Sequence, residues 1–186
     1  MKTTVFTSVL LAIAASVSVS CLSPAELTSE QLALKEKFTS QVGEFTSLEF
    51  TAFEKIDSTT VAEEISMREQ TFLLKHEQDK KFYEKYKNVH NTAKAAEKQT
   101  AMERDIELLK KLVRIKESLG DAVGNIAYYD YCFSAKGRTA EGPFEADGWY
   151  ACITPDGKVL SLVQNKKDLH KGTGTAIPGY SEMFDD

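Results

Sequence analysis

The stretch GWYACITPDGKVLSLV, residues 148–163, decides how this chain is read. Residues 148–154 and 158–163 are rich in β-formers. They flank Pro155-Asp156-Gly157, a turn in which Pro presets one backbone dihedral and Gly accepts a positive φ. Two such runs around such a turn predict an antiparallel pair of strands. Just upstream, residues 125–135 predict another strand, with Tyr129, Tyr131 and Phe133 on one face and Ile126, Tyr128 and Cys132 on the other. The whole of 125–163 is therefore read as a three-stranded meander. Residues 136–147, charged and containing Gly137 and Gly142, are read as an exposed loop within it. After residue 163, Gly172, Gly174, Pro178 and Gly179 predict an irregular tail over 164–186, laid on the surface.

Working back from the meander, residues 58–119 predict a long helical hairpin. Thr60 followed by Glu63 has capping-box spacing. The helix it opens carries Val61, Ile65, Phe72, Phe82, Tyr83 and Tyr86 to about Lys87. After a break at 88–91, Met102, Ile106, Leu109 and Val113 recur at helical spacing toward Leu119, and Gly120 marks the stop. At 1.5 Å per residue the hairpin is about 40 Å long. Its early second-helix turns offer only Ala93, Ala95 and Ala96, so its base should bury against a sheet while its tip protrudes. Residues 47–56 alternate Leu48, Phe50 and Ala52 with polar neighbours and predict a strand, although Phe53 beside Ala52 blurs the period. Residues 24–43 predict a first helix, with a capping box at Thr28 to Gln31 and Gly43 as its end. The expected fold class is α+β: an N-terminal helix, a long antiparallel helical hairpin and an antiparallel sheet of three or four strands, with helices against one face.

The first twenty-one residues read as an address. Lys2 leads into an apolar run from Val5 to Val19 that is too short and too punctuated by Ser and Thr for a spanning helix and fits a secretory h-region. Residues 1–20 are expected to be a signal peptide and 21–186 a single domain. Ser18-Val19-Ser20 suits ordinary signal cleavage. The Ser20-Cys21 junction also resembles a bacterial lipobox, with Ser18 where a large aliphatic residue is usual, and that resemblance implies lipidation of Cys21. The chain has three cysteines, Cys21, Cys132 and Cys152, so lipidation of the first would leave an even pair. Cys132 and Cys152 could close a loop of about 20 residues, worth about 3 kcal/mol, if their strands pair with the two directly opposite. Otherwise they are two buried thiols.

Net charge is −5, with acids and bases interspersed, which lacks the basic footprint of nucleic-acid binders and speaks against such a partner. Lys110, Lys111, Arg114 and Lys116 alternate with Leu109, Leu112, Val113 and Ile115 and read as the wet face of an amphipathic helix. The chain has no N-glycosylation sequon, which favours a bacterial over a eukaryotic exported protein. Catalytic motifs fail one by one. His76-Glu77 begins like a zincin motif, but Lys80 stands where the second histidine is needed. Gly172-Thr173-Gly174-Thr175 lacks the Lys-Ser/Thr of a phosphate loop, and no Gly-x-Ser-x-Gly occurs. Of the three histidines, His76 and His90 fall in the hairpin as solvated positions, leaving His170 in the tail. No metal-ligand spacing, cofactor motif or catalytic residue is expected.

What stands out is aromatic density. Tyr128, Tyr129, Tyr131, Phe133, Phe144, Trp149 and Tyr150 fall on neighbouring segments, and alternation must send some to each sheet face. Tyr129, Tyr131, Phe133, Trp149 and Tyr150 are the candidates for a binding surface, for a protein or glycan, against the alternative of plain packing. The order helix, strand, helical hairpin, meander resembles small exported lipoproteins of unknown function of the Bacteroidetes type. The resemblance implies a non-enzymatic, envelope-anchored binding or assembly module, periplasmic or outer-membrane-anchored through its lipid, and secreted if Cys21 is not lipidated. The alternatives are a cystatin-like or NTF2-like ligand-binding sheet, or a periplasmic hydrolase whose site no motif reveals.

Overall fold

The computed structural model describes residues 26–185. Helix α1 (Ser29–Val42) leads to strand β1 (Phe45–Thr60), the hairpin helices α2 (Val61–Asn88) and α3 (Thr92–Leu119), then strands β2 (Ile126–Thr139), β3 (Gly142–Ile153) and β4 (Val159–Val163). The four strands form one sheet in the order β1-β2-β3-β4, antiparallel throughout. The α+β class and the N-terminal helix are as the sequence predicts. Among the described residues, no helix is long and apolar enough to cross a membrane.

Both expected capping boxes form. The Gln31 N–H donates to Thr28 Oγ1 and the Thr28 N–H to Gln31 Oε1, so α1 begins at Ser29 rather than at 24. Glu63 and Thr60 make the same exchange at the start of α2. Asn91 caps α3, and the Val61 N–H donates to the Asn125 carbonyl, tying the two ends of the hairpin together at its base.

Strand β1 is longer than the predicted 47–56, and its register against β2 slips four times, once between Phe50 and Ala52. A bulge there puts one extra residue into the strand. Phe50 and Phe53, three apart, consequently meet ring to ring at 5.6 Å, which is why the alternation looked blurred. The larger departure is at 136–147. These residues are strand, because β2 continues to Thr139 between β1 and the returning β3, with Lys136 facing Glu145 across the pair at 3.3 Å. Glycine and charge made the stretch look like a loop; its other face carries Phe144, 4.8 Å from Phe38 of α1. Gly137 is required by close approach, since a Cβ there would stand 2.6 Å from the Ser47 carbonyl oxygen.

The sheet is covered on both faces, not one. On the inner face the base of the hairpin packs Ile65, Leu108 and Leu112 over Tyr128 and Cys152. On the outer face α1 sets Leu34 and Phe38 against Phe133, Ala135, Ala151 and Ile153. The alanines, all but fully buried, let the helix sit close to the strands. Among its described residues the tail holds three short 3-10 turns, Lys166–Asp168, Thr173–Ala176 and Ser181–Phe184, and it is not merely laid on the surface. Leu169, Ile177 and Met183 bury their side chains in the inner core, so the tail closes the side of the sheet that the hairpin leaves open.

Candidate functional site

Tyr128, Asp130 and Cys132 share the inner face of β2, and the period of two thus places a carboxylate where the strand should be apolar. Asp130 is almost wholly buried. The β2–β3 register sets it opposite Cys152, whose thiol donates to Asp130 Oδ1 at 3.2 Å. From the tail, His170 brings Nε2 to 2.7 Å from Asp130 Oδ2. The donor atoms of Asp130, Cys152 and His170 all lie within 4.8 Å of one another. Burial, and after it the charge of Asp130, push the Cys152 thiol well above the ordinary thiol range.

A second polar layer holds this trio. Glu64 of α2 is completely buried; it accepts the Tyr128 hydroxyl at 2.7 Å and is ion-paired with Arg68, whose Nε stands 2.8 Å away. The Thr173 hydroxyl stands 3.0 Å from both Glu64 Oε1 and the His170 carbonyl and can donate to one of them at a time. Arg68 Nη2 donates to the same His170 carbonyl at 2.9 Å and to Thr173 Oγ1 at 3.2 Å. Burial first, and the bond to Glu64 next, hold the Tyr128 phenol far above its ordinary value. The helix, the sheet and the tail are thereby joined through one carboxylate, and the main chain of His170 is fixed from two sides.

The order of groups limits the chemistry. A thiol nucleophile needs an imidazole beside it and a carboxylate behind the imidazole. Here the carboxylate stands between thiol and imidazole, and a buried thiol donating to a carboxylate is held protonated. The trio is instead a mixed sulfur, nitrogen and oxygen donor set of the kind that suits a zinc-class ion.

The predicted site residues fare differently. Cys21 lies outside the described residues. Cys132 and Cys152 are free thiols: the tight β2–β3 turn pairs Cys132 with Tyr150 and Cys152 with Asp130, so the two are offset and not directly opposite. The five aromatics do not share a face. Trp149 and Tyr150 are consecutive on a strand and must diverge, and Tyr150 packs in the inner core. Tyr129, Tyr131, Phe133 and Trp149 do lie together on the outer face, where α1 covers Phe133 and Tyr131 most fully. Tyr131 stacks on Phe53 at 4.8 Å, and Lys55 Nζ sits 4.4 Å over the Tyr129 ring. The sequence does not bring His170 and Asp130 together, because their partners come from two strands and a tail with no fixed spacing; the one available signal is an acid at a core-facing strand position.

A second feature lies on the hairpin. Far from the sheet its seam turns polar, with Asp79 ion-paired to Lys98 at 2.9 Å and Asp105 to Lys75 at 2.8 Å. Asp105 is fully buried, whereas Leu73, Leu74, Phe82 and Ile106 face solvent, Leu74 at 73% of its free exposure. His76, Tyr83, Met102 and Ile106 line a groove of about 590 Å³ along this half. A further cleft of about 390 Å³ opens at the hairpin base between Leu119, Asn125, Asp156 and Thr175. No family model, curated protein or solved structure matches this chain.

Proposed function

We propose that this chain is a non-enzymatic module of a bacterial cell envelope, anchored through a lipid on Cys21, that binds a protein partner along its helical hairpin from the level of Leu73 and Ile106 to the tip. The inside-out distribution of that stretch carries the reading: two aspartates are buried between the helices while two leucines, an isoleucine and a phenylalanine stand outside. Buried ion pairs contribute little to stability but fix which residues face each other. Exposed apolar side chains beside a groove that Ile106 also lines, by contrast, offer a contact surface. The aromatic outer face is the weaker candidate for this role, because α1 occupies its centre. The export leader supports the envelope location.

Two experiments test the two parts. Cys21→Ser should release the protein from the membrane fraction, and an unmodified mature terminus found by mass spectrometry would remove the anchor. A photo-crosslinking residue at position 74 or 106 should give one discrete adduct with a protein in intact envelopes, and the same residue at position 117 should not. Equal labelling at all three positions would contradict the hairpin as the binding surface.

A further inference from the structure

We infer that Asp130, Cys152 and His170 form a binding site for a zinc-class divalent cation that fastens the C-terminal tail to the sheet. The three donor atoms are already gathered, with Sγ 3.2 Å from one carboxylate oxygen and Nε2 2.7 Å from the other. In a tetrahedral zinc site the ligand atoms stand roughly 3.4–3.6 Å apart, given metal–ligand distances of about 2.0–2.3 Å. Adjustments on the order of 1 Å at the donor atoms therefore admit the ion. The mixture of one sulfur, one nitrogen and one carboxylate selects zinc or cobalt over calcium or magnesium, which require several oxygen ligands.

The surroundings are those of a built site. Asp130 and Cys152 are buried on rigid paired strands, while the His170 ring is 39% exposed and gives the ion a way in and water a fourth position. Arg68 and Thr173 hold the His170 main chain, and the Tyr128 ring lies 5.6 Å from the imidazole. These contacts fix the position of the residue that carries the third ligand. On metal entry the thiol proton of Cys152 leaves to solvent, the imidazole proton of His170 passes through solvent from Nε2 to Nδ1, and Asp130 exchanges its two accepted hydrogen bonds for a bond to the ion. The tail gains most. His170 is its only described donor to the trio, and it lies between Leu169 and Ile177, two of the three side chains that the tail sinks into the core.

The test uses the full exported chain carrying Cys21→Ser, kept reduced, with Co²⁺ and Zn²⁺ alone as probes. One equivalent of Co²⁺ should give tetrahedral d–d bands and a thiolate-to-cobalt charge-transfer band, both abolished by one equivalent of Zn²⁺. Cys132→Ser should leave these bands intact. His170→Gln, at a half-exposed position that should fold normally by near-UV circular dichroism, should weaken binding at least about tenfold, and Cys152→Ser should remove the charge-transfer band. Zn²⁺ should also slow tryptic cleavage at Lys166, Lys167 and Lys171 in the parent chain and not in His170→Gln. Absence of the charge-transfer band in the parent, its persistence unchanged in His170→Gln, or its loss in Cys132→Ser would overturn the inference.

Discussion

The two halves of the helical hairpin are made from the same pair of helices and held by opposite means. Near the sheet, Ile65, Phe72, Leu108 and Leu112 fill the seam and merge with the main core. Farther out the seam is occupied by Ala95, Asp79 and Asp105, and the partners of the two acids are lysines whose heads reach solvent. Apolar burial contributes about 25 cal/mol per Å², whereas a buried ion pair adds little net stability because desolvation offsets its attraction. Length of helix is therefore not a measure of its stability. The base belongs to the domain, and the far half is an arm whose helices are kept in register more than they are kept closed.

Four substitutions test this contrast. The largest effect belongs to the base: Leu112→Ala should cost about 2–5 kcal/mol in urea unfolding, because it opens a cavity under the hairpin. Gly174→Ala comes next. A Cβ there would stand 2.5 Å from the Tyr180 ring, so the tail must shift, at about 1–3 kcal/mol, read as a lower urea midpoint with an unchanged slope. In the arm, replacing both Asp79 and Lys98 by Leu should leave the urea midpoint unchanged or raise it and slow amide exchange at the tip only, since an apolar pair of similar size avoids desolvating charge. A drop in midpoint would show that the ion pair holds the arm closed. The smallest effect is at the cap of α2. The Thr60 N–H holds the Glu63 carboxyl below its ordinary value of 4.5. Because the folded value is the lower one, its contribution is present above the unfolded value and lost as the pH falls through the folded one. The small stability deficit of Glu63→Gln at pH 7 should therefore shrink toward pH 3, checked by urea unfolding at both.

How far the chain could be read in advance follows from which forces are local. Capping boxes at Thr28 and Thr60, the Pro155-Asp156-Gly157 turn and the alternation through Tyr128 to Phe133 are written within a few residues, and each forms in the structure. The strand over 136–147 was illegible because Gly137 and the charges there answer to a neighbour 90 residues away, the Ser47 main chain, and to a solvent-facing row. The bulges in β1 have the same origin. Of the candidate site, only Asp130 at a core position gave a local sign. Its meeting with Cys152 depends on a two-residue choice of register, and its meeting with His170 depends on how an irregular tail packs. Neither quantity is carried by spacing along the chain.

Amide hydrogen exchange in a dilute monomer tests the division of the hairpin most directly, because opening free energy follows local burial. Amides from His76 to Thr100 should exchange well before those of Leu108 to Leu119 and of Tyr128 to Phe133, with the boundary near the Lys75–Asp105 pair. Uniform protection along α2 and α3 would contradict the account, since it would mean that the polar seam holds the arm as firmly as the apolar core holds the base.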